Sequence, residues 1–360
     1  MVILQTETLR GWGGQQNRLL IESIEFNKRG HRAVIACRTG SILSQKAREA
    51  GVKVYELNMV KKAHLSNIPK LINIIKKEQI ELVATHSSVD SWAGGLAAKL
   101  TGRRLIRIRQ NLYPVGRDPL TKFIYSIPDR IVVCSGAVRD VLAGCGVKEG
   151  KMELIPDTVN VERFHPGVGD LREELNIPKD VLIIGNTSTF TEVKGQIYLL
   201  EAFNTIIKKV PCILMFAGDL KEPFRSRHLS YVHEEFRDKV VFLGHRDDIP
   251  KVLKTIDLFV FPSYLEGLGH SLLEAMAMER PVAVSDIPTF REFIQDAENG
   301  IFFRVKDPGD LAEKVVSLLN DTEQRARIGK NARATIRQRF TTGIMMDLME
   351  SLYREIIHAP

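Results

Sequence analysis

The segment Ile256–Asp286, IDLFVFPSYLEGLGHSLLEAMAMERPVAVSD, leaves this chain little choice of architecture. Ile256 to Phe261 is a mostly apolar run with Phe and Val, which reads as a buried strand ending at Pro262. A short loop with Gly267 and Gly269 follows, then a helix over roughly His270 to Met278, rich in Leu, Ala and Met. Pro281 to Ser285 begins the next strand. A strand, a helix and a second strand in so short a span form a βαβ unit, so the sheet is parallel.

The loop also carries chemistry. Its glycines let the backbone approach a ligand closely. The amides of Gly269, His270, Ser271 and Leu272 fall at the expected helix start, unpaired and at the positive end of the dipole, where a phosphate binds readily. Glu266 lies in the loop and Glu274 in the helix. Carboxylates accept hydrogen bonds from sugar hydroxyls, so two of them flanking a phosphate site suit a nucleotide-sugar. An ordinary βα loop with surface charges has the same spacing, and spacing alone leaves both readings open.

The residues around that spacing say more. The pattern PS-x-x-EG-x-G-x-x-x-x-EAMA-x-x-x-PV resembles the signature of the retaining glycosyltransferases of family 4. The resemblance implies the GT-B fold, an α/β architecture of two Rossmann-like domains facing each other across a cleft. It also implies that Glu266 fixes the transferred sugar and Glu274 the donor ribose.

Composition fits a chain of this size. The 360 residues are 44% hydrophobic and 26% charged, an ordinary globular balance with room for two domains. Cys37, Cys134, Cys145 and Cys212 form no C-x-x-C pair, which argues against zinc and redox motifs and for reduced thiols in a cytoplasmic protein. No apolar run reaches the length of a spanning helix, and Glu7 and Arg10 come too early for a secretory signal. The net charge of +7 is unevenly distributed: residues 1–165 hold 26 Lys and Arg against 15 Asp and Glu. A basic half suits an anionic membrane surface or a phosphorylated acceptor. No aromatic-basic stacking pattern or DNA-binding motif appears, so nucleic acid is not an expected partner.

Along the first half, Val2 to Thr6 reads as a strand, with Gly11-Trp12-Gly13-Gly14 leading into a helix over about Gln15 to Arg29. The pattern is not G-x-G-x-x-G and no acidic residue follows the second strand, which disfavours a nicotinamide site. A tight turn and an anion site are both open for these glycines; the resemblance implies that Gly13 and Gly14 face the donor phosphates. Glu81 to Thr85 is a strand running into His86, at an end where ligands bind in open α/β sheets. A lone His is often structural, but the resemblance implies a functional one here. Arg107 and Arg109 alternate onto one face of the strand Leu105 to Ile108. Gln110 stands where relatives frequently have His, and Gln cannot titrate. Leu120 to Ile127 reads as a helix, either near a membrane or solvated. IPDTVNVERFHP resembles the family's link into the second domain, with Gly167 to Asp170 as linker.

The expected domains are 1–165 for the acceptor, 166–340 for the nucleotide-sugar donor, and a C-terminal helix over 341–360 that crosses back to the first. In the second domain the family has Gly-Arg and then Lys-Gly, the Arg and Lys holding the donor diphosphate. Lys194-Gly195 keeps the second pair, while Ser188-Thr189 replaces the first, so one cation is lost. The turn Gly244-His245-Arg246-Asp247 is expected against the nucleotide base, mostly through backbone. Glu292 to Gly300 resembles a closing helix and turn.

These readings imply a retaining transferase. It moves a sugar from a nucleotide diphosphate sugar to a hydroxyl of a glycan or lipid-linked acceptor in envelope polysaccharide or lipopolysaccharide synthesis. Lys194, Glu266 and His86 are the candidate catalytic groups. Lys194, Gly244, Arg246, Glu266, Gly269 to Leu272 and Glu274 are candidates for holding the donor. No cofactor or metal is implied, because cationic groups take the place of a D-x-D carboxylate pair. A GT-B nucleotide-sugar epimerase and a non-catalytic sugar-nucleotide binder, suggested by Thr189 and Gln110, are the alternatives. The expected location is cytoplasmic, peripheral on the inner face of the membrane.

Overall fold

The computed structural model describes residues 1–59 and 64–359, and the named strands among them lie in two wholly parallel sheets. The first sheet comprises β1 (Val2–Glu7), β2 (Arg32–Arg38), β3 (Lys53–Leu57), β4 (Leu82–Thr85), β5 (Arg104–Arg109), β6 (Arg130–Val133) and β7 (Met152–Leu154), in the order β3-β2-β1-β4-β5-β6-β7. The second comprises β8 (Leu182–Asn186), β9 (Cys212–Phe216), β10 (Val240–Phe242), β11 (Leu258–Phe261), β12 (Val282–Ser285) and β13 (Ile301–Phe303), ordered β10-β9-β8-β11-β12-β13. Helices cover both faces, so central strands such as Ala33–Cys37 and Leu258–Phe261 are continuous apolar runs with no residue exposed. In each sheet three strands grow outward in one direction and the fourth returns beside the first. The order therefore reverses between β1 and β4, and between β8 and β11. Ligands of open α/β sheets lie beyond the carboxyl ends of strands at such points.

The chain divides into two compact units, Met1–Asp157 together with the segment from Thr342, and Thr158–Thr341. The seam has a local cause. The Asp157 carboxylate is bound by Arg18 and by Gln110 Nε2, the latter at 2.7 Å, in the first unit. Val159 donates to Phe340 O at 3.0 Å in the second. The stretch expected as a linker, Gly167–Asp170, thus lies inside the second unit, and Leu171 is fixed just after it by Thr255 Oγ1 at 2.8 Å.

The C-terminal helix, Thr342–His358, belongs to the first unit. Met345, Met346, Met349, Leu352, Tyr353 and Ile356 form its buried stripe at three- and four-residue spacing, against Ile3, Phe26, Ile106, Ile108 and Val132 of the sheet and the helix Gly14–Lys28. Tyr353 stacks on Phe26 with centroids 5.2 Å apart and donates from its hydroxyl to Glu22 Oε1 at 2.6 Å. The opposite face of the sheet is covered by Leu71, Ile74 and Ile75 and by Ala93, Ala97 and Ala98. In the second unit, Leu199, Leu200 and Phe203 pack with Phe216, Val260, Val315 and Leu319.

Most expected elements lie within one or two residues of those observed. Of the closing helix and turn expected over Glu292–Gly300, the turn is present, while the helix lies just before it at Pro288–Arg291. There the Asn299 side chain accepts from Gln295 N at 2.7 Å and donates to Phe293 O at 2.9 Å, supplying partners that a continued helix would have supplied. Strand β13 and the helix Phe224–Leu229 were not expected, being too short for a periodic signal.

Tyr353→Ala is expected to destabilise the first unit by about 3–5 kcal/mol, through a cavity and the lost donor to Glu22. Leu348→Ala, on the exposed side of the same helix, is expected to cost less than about 1 kcal/mol. Urea unfolding of both variants measures the difference.

Candidate functional site

The second sheet's reversal is stitched across by side chains and backbone. Asn186, the last residue of β8, donates from Nδ2 to Val260 O of β11 at 2.8 Å. Its Oδ1 accepts from Ser188 N at 3.0 Å and Ser188 Oγ at 2.6 Å. Gln196 Nε2 closes the loop by donating to Ser188 Oγ at 3.0 Å and Thr189 O at 2.9 Å. A single turn, Glu192–Lys194, then ends at Gly195 with φ +66°. A Cβ at Gly195 would run into the Pro262 carbonyl oxygen, so glycine is required by both conformation and space. Tyr264 N and Ser263 Oγ both donate to Val193 O, at 2.9 and 3.0 Å, and bind the loop after β11 to this turn.

These contacts bring Lys194 and Glu266 together. Lys194 Nζ donates to Glu266 Oε1 at 2.6 Å and sits 5.4 Å from the Phe261 ring centroid. Glu266 is only 7% exposed, and its backbone carbonyl accepts from Thr289 Oγ1 at 2.7 Å. The helix His270–Ala277 begins at Gly269, with φ +97°, where a Cβ would come 3.0 Å from the Phe290 ring. No side chain caps this helix. One expected donor is already taken: Leu272 N gives its hydrogen bond to Gly269 O at 3.0 Å. The first turn closes tightly, so the four amides proposed for an anion are not all available. Ser271 Oγ points to Thr187 O at 3.4 Å.

Glu274 lies just over one turn into that helix, half-buried. Burial pushes its carboxyl up to about 7, with His270 and Arg163 opposing the shift. Among the described residues its oxygens have no hydrogen-bond donor. A half-buried carboxylate without a protein donor is an acceptor open to a hydroxyl.

Other expected donor contacts stand elsewhere. Gly244 and Arg246 follow β10, two strands from β8. Gly244 O accepts from Gly218 N at 2.9 Å. The Arg246 guanidinium is occupied by a forked contact to Asp248, 2.7 Å on each side, and by Glu174 at 2.9 Å. Gly13, Gly14 and His86 belong to the first unit, at the ends of β1 and β4. Gly13 is extended and has no close contact that excludes a side chain, so no turn requires glycine there. His86 is buried, with Nε2 2.7 Å from Gln5 Oε1 and no partner for Nδ1. Burial, then Arg18, lowers its pKa to about 3, against Asp157, so the ring is neutral near pH 7. Arg107 and Arg109 do share a face, but inside the unit: Arg107 stacks on Tyr125 at 3.9 Å, and Arg109 binds Asn111 O at 3.2 Å and also Tyr113 O.

Asn186, Thr289 and the Arg18–Asp157 pair went unread in the sequence. Their roles are set by strand order, which no local pattern carries.

The family model "Glycosyl transferases group 1" matches residues 168–335, and "Glycosyltransferase Family 4" matches residues 12–163. The chain belongs to the family 4 glycosyltransferases. This glycosyltransferase is 24% identical over 310 residues to the UDP-Gal:alpha-D-GlcNAc-diphosphoundecaprenol alpha-1,3-galactosyltransferase of Escherichia coli, covering 81% of this chain and 80% of that one. It superposes on a glycosyltransferase from Rickettsia africae ESF-5 with a TM-score of 0.92 at 23% identity, covering 100% and 99% of the two chains. Anabaena HepE, solved in complex with UDP-glucose, gives a TM-score of 0.86 at 18% identity, covering 99% and 100%. These likenesses establish the GT-B type of fold for the glycosyltransferase.

The raised Glu274 carboxyl makes a prediction whose sign is fixed. In the unfolded chain the group titrates near 4.5, in the folded one near 7, so between those values the folded state binds more protons. Stability therefore falls as pH rises from 4.5 to 7, and the penalty is full above 7. Glu274→Gln is expected to stabilise the protein by about 1–3 kcal/mol at pH 8 and to change little at pH 4, where the carboxyl is protonated in both states. Denaturation of both proteins at the two pH values measures this.

Proposed function

We propose that this glycosyltransferase moves a sugar from a nucleotide diphosphate sugar, with retention, to a hydroxyl of a lipid-linked glycan. The observation that carries the reading is the meeting of Lys194 and Glu266 where β8 and β11 diverge, with Glu274 in the helix that follows the same loop. Breaking the anomeric bond develops positive charge on the sugar and negative charge on the departing diphosphate. Lys194 and the start of the helix at Gly269 stabilise the diphosphate; Glu266 accepts from the transferred sugar and Glu274 from the ribose. The donor diphosphate competes with Glu266 for the Lys194 ammonium, which frees a carboxylate oxygen for the sugar as the donor binds. The base is held at Gly244 through backbone, since the Arg246 side chain is engaged by Asp248 and Glu174. No metal is needed for this charge balance, and chelation is expected to leave turnover unchanged.

The acceptor reading is supported by the E. coli relative, whose name specifies a diphosphoundecaprenol-linked substrate, and by the basic first half of this chain. Among the described residues no helix is long and apolar enough to cross a membrane. The enzyme therefore meets such an acceptor from the cytoplasmic side as a peripheral protein.

Glu274→Ala is expected to weaken nucleotide binding in calorimetry; an unchanged Kd contradicts the ribose assignment. Lys194→Ala is expected to lower kcat on the order of a hundredfold or more, because the charge it meets develops in the transition state. Thr189 is exposed, so Thr189→Arg buries no new charge and is expected to rescue Lys194→Ala in part. Near wild-type kcat in Lys194→Ala on a verified substrate rejects the mechanism.

A further inference from the structure

A cavity of about 550 Å3 opens on the second unit, between the loop that follows β8 and the helix Phe224–Leu229 that follows β9. That volume is in the range of small-molecule sites. None of Lys194, Glu266, Gly269 and Glu274 lines it, so it is not the donor site proposed above. One turn joins the two: Glu192, on the cavity wall, begins the turn that ends with Lys194, and accepts from Tyr264 Oη at 3.3 Å. The wall is firmly backed. Phe190 packs on Phe216 and Phe242, with centroids 5.4 and 6.0 Å apart, and meets the His228 ring edge-on at 5.4 Å.

The lining has two kinds of group. Phe190, Phe224 and Tyr231 supply aromatic rings, and Phe224 is 57% exposed. With them stand two carboxylates, Glu192 and Asp219, and two cations, Lys221 and Arg227, which sum to no net charge. Arg227 has no side-chain hydrogen bond or ion-pair partner among the described residues, and Asp219 meets Lys221 only at 3.8 Å. His228 Nδ1 donates to Phe224 O at 2.8 Å, which leaves Nε2 of the neutral ring as an acceptor. A phosphate or carboxylate placed here meets Glu192 and Asp219, and an ammonium meets Lys221 and Arg227, so neither gains from the whole set. A hydroxyl both donates and accepts, and uses both sets. A pyranose combines the two requirements: hydroxyls around its rim, and a face of C–H bonds that packs on an aromatic ring.

We propose that this cavity is a saccharide subsite, taking a neutral pyranose of the acceptor glycan other than the sugar that reacts. The proposal deepens the reading of a glycan acceptor and rests on it for the source of that sugar. It gives the second unit a share in choosing the acceptor.

The test is saturation-transfer NMR on the full chain with methyl α-glucopyranoside, methyl α-galactopyranoside and methyl N-acetyl-α-glucosaminide. Their substituted anomeric oxygen matches a sugar within a glycan. At least one is expected to bind, with a Kd on the order of a millimolar. Phe224→Ala is expected to weaken that binding about fivefold or more, while Phe224→Trp retains it. Arg227→Ala is expected to weaken it too, by loss of donors. Glucose 6-phosphate and glucosamine, the charged counterparts, are expected to bind less well. Phe123→Ala removes an exposed ring of the first unit; it serves as the control and is expected to bind as wild type. Absence of binding by all three glycosides overturns the proposal, and so does unchanged affinity in Phe224→Ala, an equal loss in the control, or tighter binding of either charged counterpart. Uridine that binds with the same dependence on Phe224 assigns the cavity to a nucleoside and overturns the saccharide. Displacement of the glycoside by uridine diphosphate assigns it to the donor site and overturns the subsite. Calorimetry with uridine diphosphate reads the donor site separately: no binding in the wild type sinks the transferase reading and leaves the saccharide result standing.

Discussion

A reversal of strand order leaves two parallel neighbours whose following loops depart in opposite directions, and something must hold those loops in register if they are to form a site. In the second unit that constraint is met by one ion pair and the backbone contacts beneath it. Lys194 and Glu266 meet at 2.6 Å from loops that follow β8 and β11. Val193 O receives both Tyr264 N and Ser263 Oγ, and Gly195 allows the turn to press on Pro262. Glu266 is nearly buried, so its charge would be costly alone, and the lysine offsets that cost in the absence of any ligand. In the proposed mechanism the pair is a placeholder for the electrostatics of the donor: a cation for the phosphate and an acceptor for the hydroxyls.

The first unit meets the same topological problem with a buried polar chain. Arg18 is almost fully buried and binds Asp157 and Ile155 O. Its neighbour Glu22 accepts from Gln5 Nε2 at 2.7 Å and Tyr353 Oη at 2.6 Å, and Gln5 Oε1 in turn meets His86 Nε2. Gln110 Nε2 joins from the Asp157 side. The C-terminal helix, the sheet and Asp157, where the chain leaves the unit, are therefore tied through one network. Gln110, read in the sequence as the loss of a titrating group, is here a donor to a carboxylate that already has an arginine. A titrating imidazole would be a poorer neighbour for that buried charge balance than a neutral amide.

What was legible in the sequence was whatever local periodicity and glycine chemistry write down. The strand, loop, helix and strand from Ile256 to Ser285 appeared as read, because apolar runs and breakers determine them at short range. Gly269 was read as a loop glycine and Gly195 as part of the Lys-Gly pair, and both have the positive φ that only glycine adopts without strain. Gly13 carried the same letter without the same need, since its backbone is extended. In the helix and turn expected over 292–300 only the turn is found, because Asn299 satisfies the backbone there through its side chain. Asn186 and Thr289 support the site from a strand and a short helix that sequence spacing does not bring together.

The surplus of positive charge in the first half teaches a related lesson about counting. A charge in the sequence contributes to the surface field only if it is exposed and unpaired. Arg18 is cancelled by Asp157 inside the unit, and Arg107 is spent on the Tyr125 ring. Arg29 meets Asp347 at 2.7 Å and Glu350 at 3.2 Å, Arg32 meets Glu78 at 2.8 Å, and Arg130 meets Glu355 at 3.2 Å. Guanidinium forks suit such paired geometry, and these arginines hold helices to the sheet. Lysines carry the field instead, and it concentrates where they gather without an ion-pair partner, as Lys122, Lys148 and Lys151 do around one cavity of the first unit. Net charge per half of the chain gives the sign of a partner; the division of labour between arginine and lysine decides where that partner is met.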